Sequence, residues 1–189
     1  MIIVWIILGI VVLLAVLLWV TYNSLVRLKI KTDEALSDIT VQMKRRLDLI
    51  PNLVSTVKGY TKHEKETLEN VTKARAAAME APKGDLHKQA EADNMLTSTL
   101  KSLFAVAENY PDLKANENYL HLQGELTDTE DKIQASRRFY NGNVRDFNSK
   151  LQVFPTNIIG NMLGFKTRDF FDVDESEKEA VKKAPEVKF

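Results

Sequence analysis

The chain of 189 residues contains no cysteine, which excludes disulfides, thiol nucleophiles and thiolate metal ligands. Redox compartment therefore leaves no mark on it. Histidine is scarce as well, with three in the whole sequence, and glycine numbers only seven. That leaves little material for a metal cage or a glycine-rich phosphate loop. Charge of a single sign is also missing, because 26 basic residues balance 26 acidic ones. No global field draws a polyanion to the surface, and no nucleic-acid partner is expected. Nor does any long segment alternate apolar and polar residues with period two, which argues against a sheet.

What the sequence does have is one long apolar run. Residues 2–20, IIVWIILGIVVLLAVLLWV, carry no charge, no proline and one glycine. At ~1.5 Å of helical rise per residue the run reaches about 28 Å, close to the ~30 Å hydrocarbon core of a bilayer. It is read as a single transmembrane anchor at residues 1–21, with Ile2, Trp5, Gly9, Leu14, Trp19 and Val20 among its spanning residues. Trp5 and Trp19 stand near its two ends, where amphipathic rings favour the headgroup level. A cleaved secretory signal fits poorly: no basic stretch precedes the run, and Trp19-Val20-Thr21-Tyr22-Asn23 offers no small-x-small cleavage site. Arg27, Lys29 and Lys31 follow the span. By the positive-inside rule they favour a single-pass protein of the cell membrane with its N-terminus outside and its bundle cytoplasmic, the opposite orientation remaining open.

Beyond the anchor the apolar residues recur at helical spacing. Leu36, Ile39, Met43, Leu47, Ile50, Val54 and Val57 mark one stripe, continued by Leu68, Val71 and Ala78, with Lys and Glu between them. Pro51 predicts a break or kink, with Asp48 a candidate cap. Ala81-Pro82-Lys83-Gly84-Asp85 ends one helix, and Asp85 caps the next. That next helix runs from Leu86 to about Ala107 and stops at Asn109-Tyr110-Pro111. A further stripe, from Tyr119 through Leu122, Leu126, Ile133, Tyr140, Val144 and Phe147 to Leu151, predicts a helix of about ten turns. Long amphipathic helices joined by short turns cover their stripes by lying antiparallel. The expected fold is all-α: an N-terminal transmembrane helix followed by an antiparallel up-and-down four-helix bundle over residues 22–171. The charged segment 172–189 reads as a disordered tail.

Several stretches together resemble one family. Tyr22-Asn23-Ser24-Leu25-Val26 follows the anchor, and VQMKRRLDLIPNLVSTVKGYTKHE occupies residues 41–64. AENYPDLKANENYLHLQGELTDTEDKI covers residues 107–133, and Arg137-Arg138-Phe139-Tyr140-Asn141 comes next. Asn148 and Phe154-Pro155-Thr156-Asn157 complete the series. In this order they are similar to the LemA family. The resemblance implies a bacterial or archaeal membrane-anchored protein whose soluble part is a four-helix bundle. It implies no particular reaction. Members are often encoded beside membrane metalloproteases or other membrane proteins, which suggests an accessory role.

Catalytic chemistry finds little support in the residues. His63-Glu64-Lys65-Glu66-Thr67 opens like a zincin helix but carries Thr67 where the second histidine belongs. No Glu-x-x-His pair exists for a di-iron bundle, since Glu117 precedes His121 by four positions. Gly160 and Gly164 lack the lysine and third glycine of a phosphate loop. No catalytic, cofactor-binding or metal-binding residue is assigned, and no cofactor is expected.

Two patches are candidates for contact with a partner. The basic triplet Lys44, Arg45 and Arg46 reads either as a solvated face with one arginine neutralised across the bundle, or as a recognition surface for an acidic lipid headgroup or acidic partner, the lipid disfavoured because Lys44 lies about 36 Å along a straight helix from Val20. The irregular apolar segment containing Phe154, Pro155, Phe170 and Phe171 reads as a cap on the bundle or as a docking surface. The expectation is a non-enzymatic adaptor or scaffold. It touches the bilayer through one helix and serves another membrane or envelope protein, by family analogy a membrane metalloprotease. The alternatives are an uncharacterised enzyme or metal- or cofactor-binding bundle, and an oligomeric membrane-organising protein; the oligomeric state is left open.

Overall fold

A computed structural model describes residues 1–171; the expected disordered tail at 172–189 lies outside the described residues. Among the described residues the chain is helical, with no strand. The helices are α1 (Ile2–Tyr60), α2 (Lys65–Glu80), α3 (Leu86–Ala107), α4 (Pro111–Lys114), α5 (Glu117–Gln152) and α6 (Thr156–Met162). The expected all-α class with a long apolar N-terminal helix is what the structure shows.

Of the break or kink expected at Pro51, the break does not occur, because α1 continues through it to Tyr60. Proline removes the N–H that would bond the carbonyl four residues back, which here belongs to Leu47. That carbonyl accepts a hydrogen bond from Arg75 Nε at 2.8 Å instead. Pro51 itself is exposed, so its ring displaces no core packing.

Local signals position the other ends. Gly84 adopts φ +100°, a turn that an L side chain resists. Asp85 then accepts from the Lys88 N–H at 3.1 Å, capping α3 as expected. Pro111 stands in the first turn of α4, where a missing N–H costs nothing. Asn116 Oδ1 accepts from the Tyr119 N–H at 3.0 Å, and its amide donates to Tyr60 Oη at 2.9 Å. One side chain thus caps α5 and ties it to the end of α1. Helix α6 closes on Gly164, φ +76°. The Phe165 N–H reaches Gly160 O at 3.0 Å and the Gly164 N–H reaches Asn161 O at 3.1 Å, a paired C-terminal capping pattern.

The chain divides into two compact units: Met1–Asp38 with Ser136–Phe170, and Ile39–Ala135 with Phe171. In the second unit, Ile50, Leu53 and Val57 of α1 pack with Val71 of α2, Leu96, Leu100 and Leu103 of α3, Leu113 of α4, and Tyr119 and Leu126 of α5. Burying each large aliphatic side chain contributes about 1.5–3 kcal/mol before conformational entropy is set against it. Arg45 and Arg46 meet Glu125 and Glu130, whereas Tyr60 meets Asn116. Numbering that rises along α1 while falling along α5 makes these two helices antiparallel here.

In the first unit, Leu25 and Ala35 of α1 and Tyr140, Val144 and Phe147 of α5 are buried. The segment after α6 is fastened by Asn148. Its amide donates to Arg168 O at 2.8 Å while its Oδ1 accepts from the Arg168 N–H at 2.9 Å. The Arg168 guanidinium reaches Asp33 at 2.6 Å, and Tyr140 donates its phenol O–H to Asp169 O at 2.9 Å.

Candidate functional site

The first unit carries the chain's most conspicuous surface. Every residue from Met1 to Val20 is exposed, and none of the apolar window is buried. Burial begins at Thr21 and Leu25. This segment of α1 is long and apolar enough to cross a membrane. Ile2, Trp5, Gly9, Leu14, Trp19 and Val20 all lie on it, and Trp19 is 67% exposed at its end.

In the second unit the basic triplet separates into three environments. Lys44 is exposed. Arg45 is part-exposed and pairs with Glu125 at 2.5 Å, with Asp128 at 4.0 Å. Arg46 is 1% exposed. Its guanidinium bonds the Asp93 carboxylate, approaches Glu130 Oε2 at 2.5 Å and donates to Thr97 Oγ1 at 2.9 Å. The Thr97 hydroxyl in turn donates to the same Glu130 oxygen at 3.3 Å, and Gln134 donates to Oε1 at 3.0 Å. Two carboxylates on α3 and α5 therefore hold one guanidinium from α1. A hollow of about 190 Å³ opens beside the cluster, bordered by Phe104, Leu126 and Glu130. Breaking a buried pair of this kind costs ~3–5 kcal/mol, because a charge is left behind without compensation.

Of the two readings of the triplet, an arginine neutralised across the bundle is the one found at Arg46, which does not present its side chain at the surface. The sequence reading missed Asp93, Thr97 and Glu130. A signal for two of the charges existed: Arg46 falls seven residues after Ile39, four before Ile50 and seven before Leu53, and Asp93 falls three from both Ala90 and Leu96. A charge in core phase calls for a partner.

The apolar segment divides as well. Phe154 is 78% exposed and Pro155 is part-buried; Phe170 is exposed, whereas Phe171 is fully buried and so unavailable to a partner. The Phe154–Pro155 peptide is cis. His63, His87 and His121 are all exposed and stand on different elements. Among the described residues no three His, Asp or Glu side chains gather in a metal-holding group.

Ionisable groups outside the apolar span follow their neighbours. The Lys88 backbone N–H holds the Asp85 carboxyl below its ordinary value, and the Lys132 ammonium, with Arg45, does the same for Asp128. Burial raises the phenols of Tyr119 and Tyr140. The hydrogen bond to Glu64 raises that of Tyr110.

These features define a class: an all-helical protein with one helix able to cross a bilayer and a bundle stapled by a buried ion cluster. The chain belongs to the LemA family, which it matches over residues 35–189. It is 31% identical over 156 residues to Protein LemA of Metamycoplasma hominis, covering 82% of this chain and 71% of the relative. It is 27% identical over 189 residues to Magnetosome protein MamQ 2 of Paramagnetospirillum magneticum, covering 87% and 69%. To Magnetosome protein MamQ of Magnetospirillum gryphiswaldense it is 25% identical over 174 residues, covering 79% and 64%.

Proposed function

We propose that this chain is a single-pass membrane protein whose helical bundle acts without catalysis, as an adaptor or scaffold for another membrane or envelope protein. The observation that carries this reading is the wholly exposed apolar segment at residues 2–20, followed directly by buried packing from Leu25 onward. A bundle that needed only to fold gains nothing from that segment, and water opposes its exposure. Two of the buried charged groups serve each other: Arg46 is engaged with Asp93, and with the part-buried Glu130 as well. The relatives named above are called after a structure, the magnetosome, or after the family, and none after a reaction.

The positive residues Arg27, Lys29 and Lys31 favour a cytoplasmic bundle. Because the chain lacks cysteine, a single Ser102→Cys change on the exposed face of α3 gives an unambiguous reporter. Cells carrying it are treated with a membrane-impermeant maleimide, and the chain is then crosslinked and captured from membranes. Protection until lysis, together with a recurrent membrane-protein companion, supports the reading. Labelling of intact cells reverses the orientation. Recovery in the soluble fraction overturns the anchor, and repeated capture without any specific companion overturns the adaptor role.

A further inference from the structure

We infer that the face formed by Val153, Phe154, Ile158, Met162 and Leu163 is a second membrane contact, seated in the interfacial layer of the same bilayer that α1 crosses. The inference rests on the membrane reading above.

Residues 153–165, VFPTNIIGNMLGF, contain no charged side chain in a chain whose residues are 28% charged. Helix α6 nevertheless buries only Thr156, Ile159 and Gly160. Phe154, Ile158 and Met162, spaced four apart, are 78%, 61% and 66% exposed, with Val153 and Leu163 exposed beside them. Four-residue spacing places Ile158 and Met162 on one face of the helix. Helix α6 thus packs one face through Thr156, Ile159 and Gly160 and leaves a second, apolar face at Ile158 and Met162 uncovered, with Asn157 and Asn161 along the edge between them.

The position of α6 identifies what covers the other. A Cβ on Gly160 would stand 3.6 Å from the Leu25 side chain, and the Phe165 ring lies 6.2 Å, edge to face, from that of Tyr22. Tyr22 and Leu25 follow Val20 by two and five residues. At ~1.5 Å per residue they stand about 3–8 Å past the end of the apolar run, the depth of the headgroup layer. Aromatic and aliphatic side chains on a short segment lying flat at that depth bury their apolar faces at the boundary between headgroups and acyl chains.

Charge agrees with this placement. A hollow of about 480 Å³ beside Trp19 and Val20 is lined by Arg27, Lys31 and Lys150, with no carboxylate. Basic groups at the end of a span attract anionic headgroups. Leu163 and Phe165 themselves line a neighbouring hollow that holds both Lys29 and Asp33, so the anionic preference comes from Arg27, Lys31 and Lys150 at the end of the span, and the occupant of the α6 face is the lipid surface those groups attract.

The test uses the full chain in vesicles of phosphatidylcholine and phosphatidylglycerol, with single nitroxide labels at Ile158→Cys, Met162→Cys, Leu14→Cys and Ser102→Cys. Collision with oxygen reports lipid, and collision with a water-soluble nickel chelate reports water. The expected result is a depth parameter that shifts from negative at Ser102 to positive at Ile158 and Met162, though less positive than at Leu14. Replacing Arg27, Lys31 and Lys150 with glutamine is expected to reduce the shift at positions 158 and 162 and to leave Leu14 unchanged. Water contact at 158 and 162 with lipid contact at Leu14 overturns this inference alone. Water contact at Leu14 overturns the membrane reading and the inference with it. Shielding of 158 and 162 from both reagents identifies a protein occupant, such as a second copy, and also overturns it. Circular dichroism of each labelled chain excludes misfolding as the source of any signal.

Discussion

Arg75 of α2 donates its Nε–H to the Leu47 carbonyl of α1 at 2.8 Å, supplying the hydrogen bond that Pro51 cannot. An exposed proline inside a helix thereby becomes a fixed point for the neighbouring helix. Pro51→Ala restores an N–H four residues beyond Leu47, so the two substitutions are coupled. Arg75→Met alone is expected to cost about 1–3 kcal/mol, the penalty for an acceptor left unmet. In a Pro51→Ala background the loss is expected to be smaller by ~0.5–1.5 kcal/mol. Denaturant titration of the four members of the cycle measures this, and strict additivity would refute the compensation.

Arg46 gives a larger effect of opposite logic. Arg46→Met leaves the buried Asp93 carboxylate without its guanidinium and is expected to destabilise the bundle by ~3–5 kcal/mol. Removing the ion cluster as a whole, with Arg46→Met, Asp93→Leu and Glu130→Met together, is expected to recover most of that loss. The comparison by thermal melting separates the penalty for an orphaned charge from the net worth of the cluster.

Gly160 sets how closely α6 can approach. A Cβ there would come within 2.6 Å of Leu151 Cδ2, the mobile end of a side chain that can turn aside. Gly160→Ala is therefore expected to cost under about 1 kcal/mol. Gly160→Val cannot be relieved in this way and is expected to cost ~1–3 kcal/mol. Melting temperatures of both variants test the difference.

Stability is expected to fall at both ends of the pH range. Asp85 and Asp128 have lowered values, so what they contribute is present above the unfolded carboxyl value of 3.8 and is lost as pH falls through the folded one. Tyr119 and Tyr140 have raised values. Their contribution is complete below the unfolded phenol value of 10.0 and is lost as pH rises through the folded one. Tyr140→Phe is expected to flatten the alkaline limb of a pH–melting-temperature profile, while Asp85→Asn flattens the acid limb.

The long stripes made most of the helical framework legible before the structure. The stripe from Tyr119 to Leu151 lies within α5, and Pro82, Gly84 and Asp85 marked the α2–α3 turn. Pro51 left a break and a kink both open because the compensation that keeps α1 in one piece comes from Arg75, on another helix, which no local pattern near Pro51 can announce. The triplet Lys44, Arg45 and Arg46 was visible as a unit, yet its members differ in fate through helical phase. Two residues of rotation separate the exposed Lys44, and one the part-exposed Arg45, from Arg46, which shares its face with Ile39 and Ile50. Phe170 and Phe171 show the same limit outside any helix, where no period in the sequence assigns a side and only tertiary packing decides which is buried.

Arg46 finds Asp93 47 residues later and Glu130 84 residues later. Its partners therefore reach it in order, one with α3 and one with α5. A chain still growing has its guanidinium and its first carboxylate well before the second, so the charge has reason to stay in water until α5 arrives. The site of Arg46 is thus complete only with α5 in place, since Glu130 comes from that helix.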